Sequence, residues 1–174
     1  MEFKFYLSRL DSDEAELYSL LYDKILNREE SFVLNASVDL IKRVMKAVML
    51  DNPNLFWFEG KWSGGSSSGG ILVMPKYKHI EVKERALFSR IDAVTKNCVG
   101  TEAEKIKTAY DWIINNVRYG YFENDQTIFG ALVDRTAVCK GIAKAFQAFM
   151  NRLEIPSFLV EGTLDGQLSH IWNV

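Results

Sequence analysis

GALVDRTAVCKGIAKAFQAFMNRLEIPSFLVEGTLDGQLSHIWNV (residues 130–174) decides the fold, because it sets one cysteine at the start of an apolar helix and one histidine on a strand that follows. Within TAVCKGIAKAFQAFMNRLEIP, residues Cys139, Ile142, Ala143, Phe146, Phe149, Met150 and Leu153 recur at the three-and-four spacing of one buried helical face. With Thr136 as N-cap, Cys139 is the third helical residue, where free backbone N–H groups and the positive end of the helix dipole stabilise a thiolate. Pro156 ends the helix, and SFLVEG (157–162) and LSHIWNV (168–174) read as two strands around the turn TLDGQ. In the second strand Leu168, His170, Trp172 and Val174 share one face and Ser169, Ile171 and Asn173 the other. If the first face packs on the helix, the imidazole of His170 points toward the Cys139 sulfur, within hydrogen-bond reach, in a cleft lined by Trp172. A plainer alternative stands beside this: a cysteine on a core helix is usually a small buried hydrophobe, and a histidine in a strand is usually structural. The joint arrangement, thiol at a helix N-terminus followed by a short hairpin with an inward histidine, is what favours chemistry.

The same stretch resembles the core of the transglutaminase-like superfamily of papain-like thiol enzymes, in particular its bacterial branch, where a G-A-L-V-D-x-x-A-V-C-x-G-x-A-x-A-F run precedes an H-x-W-N strand. The upstream YDWIINNVRY also fits, so the likeness covers about the last 75 residues well and the first 80 more loosely. The resemblance implies an α+β, papain-like core in which the cysteine helix packs on an antiparallel sheet. It implies Cys139 as nucleophile, His170 as its general base, Trp172 against the substrate, and a peptide or protein amide as substrate, with no cofactor and no metal. It also implies a third member, an Asp on the next strand. The chain ends at Val174 before such a strand, so the expectation is a core that is C-terminally incomplete, impaired as an enzyme or part of a longer one. An unpaired last strand would then drive self-association into a homo-oligomer. The domain reading is an N-terminal α/β accessory region at 1–77 and the transglutaminase-like core at 78–174.

Composition sets the outer bounds. At 174 residues with 48% hydrophobic and 13% aromatic side chains, the chain is long and apolar enough for a real core. A net charge of −2 leaves no electrostatic footprint for nucleic acid, and no apolar run is long enough to span a membrane. MEFKFYLSRLDSDE lacks the apolar core of a signal peptide, which fits a cytoplasmic protein or a fragment of an exported or cell-surface one. Cys98 and Cys139 are the only cysteines and His79 and His170 the only histidines, and none has zinc spacing. A Cys98–Cys139 disulfide is a minor alternative to two free thiols.

Reading from the N-terminus, EFKFYL (2–7) alternates as a strand, 11–28 is an amphipathic helix, SFVLNA a strand, and SVDLIKRVMKAVMLDNP a helix capped by Ser37 and stopped at Asn52-Pro53. LFWFEGKW (55–62) and ILVMPKY (71–77) read as strands, with Pro75 assigning the second to a sheet edge. The intervening SGGSSSGG (63–70) reads as a flexible hairpin loop, with an interdomain linker as the alternative, and lacks the Lys-Ser/Thr and helix of a phosphate loop. Residues 82–100 form a helix closed by Gly100 with Cys98 on its inner face, and Thr101 with Glu104 makes a capping box for the next helix. Trp112 and Ile113 on that helix are assigned to packing, 118–135 to an irregular connection, and Asp134 to a structural turn. Two functions follow: a thiol acyl-transfer enzyme, or a binding module that keeps the fold without turnover.

Overall fold

A computed structural model describes residues 3–78 and 84–174, and the chain divides into two compact units, Lys4–Ile80 and Glu81–Val174 with Met1–Phe3. His79 lies outside the described residues. Helices and antiparallel strands are both present, an α+β architecture.

In the first unit, α1 (Ser12–Leu26) and α2 (Val38–Asp51) pack together and β1 (Phe32–Leu34), β2 (Phe58–Ser67) and β3 (Gly70–Tyr77) form a sheet. Both helices start where side chains supply the missing acceptors. Asp11 makes a capping box with Glu14, and the Ser37 hydroxyl accepts from the Leu40 N–H. No strand forms over 3–7. Instead the Tyr6 and Leu7 N–H groups donate to the buried Asp51 carboxylate, at 3.0 and 2.9 Å, and a short 3₁₀ turn follows at Leu7–Arg9. Tyr18 donates its hydroxyl to the same carboxylate at 3.2 Å, so one acid at the end of α2 takes up the donors of the chain start and of α1. Burial pushes the Asp51 carboxyl up, against the lowering effect of these hydrogen bonds and of Lys4.

Two expectations for the sheet change. The glycine- and serine-rich stretch is mostly strand, since β2 runs to Ser67 and only Ser68 and Gly69 separate it from β3. Pairing with β3 carries a sequence of weak intrinsic strand preference. The strand order is β1-β3-β2, so β3 is central and not the edge that Pro75 suggested. The proline is tolerated because β1 pairs with β3 only from Ile71 to Val73, leaving the proline beyond its reach. On the other side Pro75 lies opposite Trp62, where the β2–β3 register shifts.

The second unit places α5 (Cys139–Arg152) at its centre, packed against α3 (Glu84–Thr95), α4 (Glu102–Asn116) and the hairpin of β6 (Leu159–Leu164) and β7 (Leu168–Asn173). The helix is buried around most of its circumference. Phe149, Met150 and Ala145 are covered, and so are the polar Lys144 and Gln147. Helix α3 stops at Thr95, short of the expected Gly100. Cys98 is buried in the turn that follows, its N–H donating to the Thr95 carbonyl at 3.0 Å. The Thr101–Glu104 capping box forms as read, and Trp112 packs edge-on against Phe149 with centroids 5.6 Å apart. The connection after α4 is more ordered than its sequence suggests. A two-residue strand β4 (Arg118–Tyr119) pairs in parallel with β5 (Thr136–Ala137), and Gly130–Asp134 form a π-helical turn.

Candidate active site

The first turn of α5 is set by what precedes it. Thr136 and Ala137 are committed to β5, with Arg118 N–H donating to Arg135 O at 2.9 Å and Gly120 N–H to Ala137 O at 3.1 Å. The helix therefore starts later than the Thr136 cap implied. Val138 is the N-cap, without a side-chain hydrogen bond, and Cys139 is the first helical residue. The thiol still sits in the turn whose N–H groups have no acceptor within the helix. One loop fixes this start: the Asp125 carbonyl accepts from the Val138 N–H at 3.1 Å. That carbonyl lies where a Cβ on residue 141 would stand, only 2.2 Å from it, so the glycine two residues after the cysteine is required by the approach of the loop.

Cys139 is half-buried and borders a cavity of about 580 Å³ between α4, α5 and β7. Its walls are Tyr110, Ile113, Ile114 and Val117 from the α4 side, Ile142, Ala143 and Phe146 along α5, and residues 170–173 of β7. His170 and Trp172 thus border the same cavity as Cys139. Among the described residues no Asp, Glu, Lys or Arg lines it, and several rim residues, Tyr110, Ile114, Tyr119 and Trp172, are exposed. Ile113, assigned to packing, is buried and also forms part of the wall.

The sidedness of the hairpin differs from the expectation. Ile171 is 5% exposed and the Asn173 side-chain amide donates to the Ala143 carbonyl of α5 at 3.0 Å, whereas Leu168 is 65% and Trp172 38% exposed. The Ile171/Asn173 face packs on the helix, and His170 and Trp172 lie on the opposite face. Burying Ile171 and satisfying a helix carbonyl with Asn173 decides the register; the indole, with its polar edge, can remain half in water. Among the described residues no hydrogen bond joins the Cys139 sulfur to the imidazole; His170 instead stacks on Trp172, ring centroids 6.0 Å apart and planes 20° from parallel.

The remaining candidates are separated from this site. Both cysteines are free thiols. Cys98 is 4% exposed, its Sγ–H donates to the Val94 carbonyl at 3.5 Å, and burial pushes its thiol up despite the opposing influence of Lys105. Asp134 accepts from the Asn124 amide at 3.2 Å, a turn-stabilising contact. Sequence reasoning missed Lys144, which is on the buried circumference of α5 yet charged in type. Its ammonium is pushed down to about 7 by burial, helped by nearby Lys140 and opposed by Glu161. Among the described residues no cluster of three or more His, Cys, Asp or Glu converges to hold a metal ion, and no helix is long and apolar enough to cross a membrane.

The family model described as Transglutaminase-like superfamily matches residues 90–174, the stretch that builds the cavity and carries both Cys139 and His170. That segment is similar to the transglutaminase-like superfamily. A solved crystal structure of a TGase is similar at 14% identity with a TM-score of 0.45, over 82% of this chain and 45% of that one. This chain thus spans less than half the length of that structure. No curated protein matches the sequence.

Proposed function

We propose that the second unit is a thiol-dependent acyl-transfer site of the transglutaminase-like type, with Cys139 as nucleophile and His170 as general base. The observation that carries the reading is that the cysteine on the first turn of α5 and the histidine of β7 border one cavity. The Cys139 sulfur forms a bond to the carbonyl carbon of a peptide or protein amide, and the carbon–nitrogen bond breaks. His170 takes the thiol proton and returns it to the departing amine. The first-turn N–H groups of α5 are oriented to share the charge of the oxyanion. Water or a second amine then cleaves the thioester, giving hydrolysis or transamidation. An uncharged, largely apolar cavity beside the sulfur suits an acyl donor whose neighbouring side chain is aliphatic or aromatic, held there by Trp172 and the α4 wall.

Binding without turnover is the second reading. It is favoured by the absence, among the described residues, of a hydrogen bond between Cys139 and His170, and by the packing of the other face of β7 on the helix. The two part on one experiment: incubation with activated esters and aryl amides of phenylalanine and leucine, followed by intact mass and peptide mapping. Acyl-transfer chemistry predicts a transient acyl adduct on Cys139 that water or an added amine discharges, and none in Cys139→Ala. Saturable binding of the same compounds with no adduct supports the binding module and overturns the enzyme.

A further inference from the structure

A general base has to present one nitrogen of its ring in a fixed direction, and thiol enzymes do this with a third group that orients the imidazole. In this chain the group against His170 is an indole. No hydrogen bond holds the ring among the described residues, and Trp172, two residues on and therefore on the same strand face, is stacked with it at 6.0 Å and 20°. The indole has its own seat. On the neighbouring strand Gly162 lies directly opposite His170, and the Trp172 ring covers the space where a side chain would be. A Cβ there would stand 2.7 Å from Cη2 and 3.2 Å from Cζ3 of Trp172. Gly162 does not have the left-handed backbone that would itself call for glycine, so the ring is what excludes a side chain.

We propose that Gly162 and Trp172 are positioning residues for His170: the bare backbone of residue 162 seats the indole, and the indole sets the plane of the imidazole. The role of His170 as base rests on the function proposed above; the seat itself does not. A methyl group at residue 162 is compatible with the strand but forces the far edge of the indole to move, and the stacked imidazole loses its support. Misplacement of a catalytic group by about 1 Å costs on the order of 100-fold in rate. The fall in kcat should exceed the change in KM, some of which is expected because Trp172 also borders the cavity proposed to hold the substrate.

The test uses the whole chain and NMR of its two histidines, His79 and His170, with His170→Gln providing the assignment. Stacking on an indole shifts the His170 ring protons upfield of those of an unstacked histidine. That displacement is expected in the wild type and in part in Trp172→Phe. It should be lost in Trp172→Leu and reduced in Gly162→Ala, with the two variants falling about 100-fold in kcat and Trp172→Phe recovering most of the rate. His170 signals unchanged by Gly162→Ala and Trp172→Leu would overturn the proposal, as would full kcat in variants whose upfield displacement is gone. Failure of the wild type to form an acyl adduct would overturn the function and leave the NMR comparison to decide the seat.

Discussion

Cys139 and Cys98 share a side chain and differ in everything around it. Cys98 is buried in a turn with its thiol held protonated, while Cys139 opens onto a cavity at a helix start. Thiolate fraction and access together govern alkylation, so iodoacetamide at pH 7 should label Cys139 at least about tenfold faster than Cys98. Equal rates by peptide mapping would contradict the environment described for the pair. Lys144 makes a second prediction with a defined sign. Its folded-state value near 7 lies below the ordinary 10.5, so between pH 7 and 10.5 the unfolded chain holds a proton that the folded chain does not. Stability should therefore rise with pH across that window, with a slope of at most about 1.4 kcal/mol per unit. Lys144→Met removes the penalty; it should be more stable than wild type at pH 7, with the advantage shrinking toward pH 10.5. Urea unfolding at several pH values measures this, and parallel stability curves for the two proteins would show that Lys144 is solvated.

At the scale of elements, α5 depends on a glycine and α2 on an acid. Gly141→Ala would drive a methyl group into the Asp125 carbonyl, backbone that cannot step aside without releasing the Val138 N–H. A loss of about 2–4 kcal/mol is expected in denaturant unfolding; a neutral result would mean that the loop shifts freely. Asp51→Ala leaves the Tyr6 and Leu7 N–H groups and the Tyr18 hydroxyl without their acceptor and should cost about 3 kcal/mol; a loss under about 1 kcal/mol would show that water replaces the carboxylate. The helices were legible because their signals are local: Ser37 and Thr101 cap as their sequences require. The apolar spacing of α5 was a poorer guide, since Ala143, Phe149 and Met150 are buried but Cys139, Ile142, Phe146 and Leu153 are only half-buried, and Lys144 and Gln147 are buried beside them. What was not legible depends on partners distant in sequence. The 3–7 segment alternates like a strand but gives its N–H groups to Asp51, and Thr136 looks like a cap but pairs with β4. Pro75 marks an edge only where a neighbouring strand extends far enough to meet it.

For the molecule as a whole, the sequence singles out one residue pair, Cys139 and His170, and both border one cavity. The walls were harder to foresee, because Tyr110, Ile114 and Tyr119 come from elements whose approach to β7 has no signature in the chain. The orientation of β7 was also out of reach: alternation separates two faces, and only the packing of Ile171 and the amide of Asn173 selects between them. Cys139 and His170 are proposed to act as nucleophile and base on one acyl group. The most direct measurement is the rate at which an activated phenylalanine ester acylates Cys139, followed by intact mass at pH 7 in wild type and in His170→Gln. Loss of a positioned base should slow acylation by about 100-fold or more, with Cys98 unmodified in both proteins. Equal acylation rates with and without the imidazole would contradict the claim.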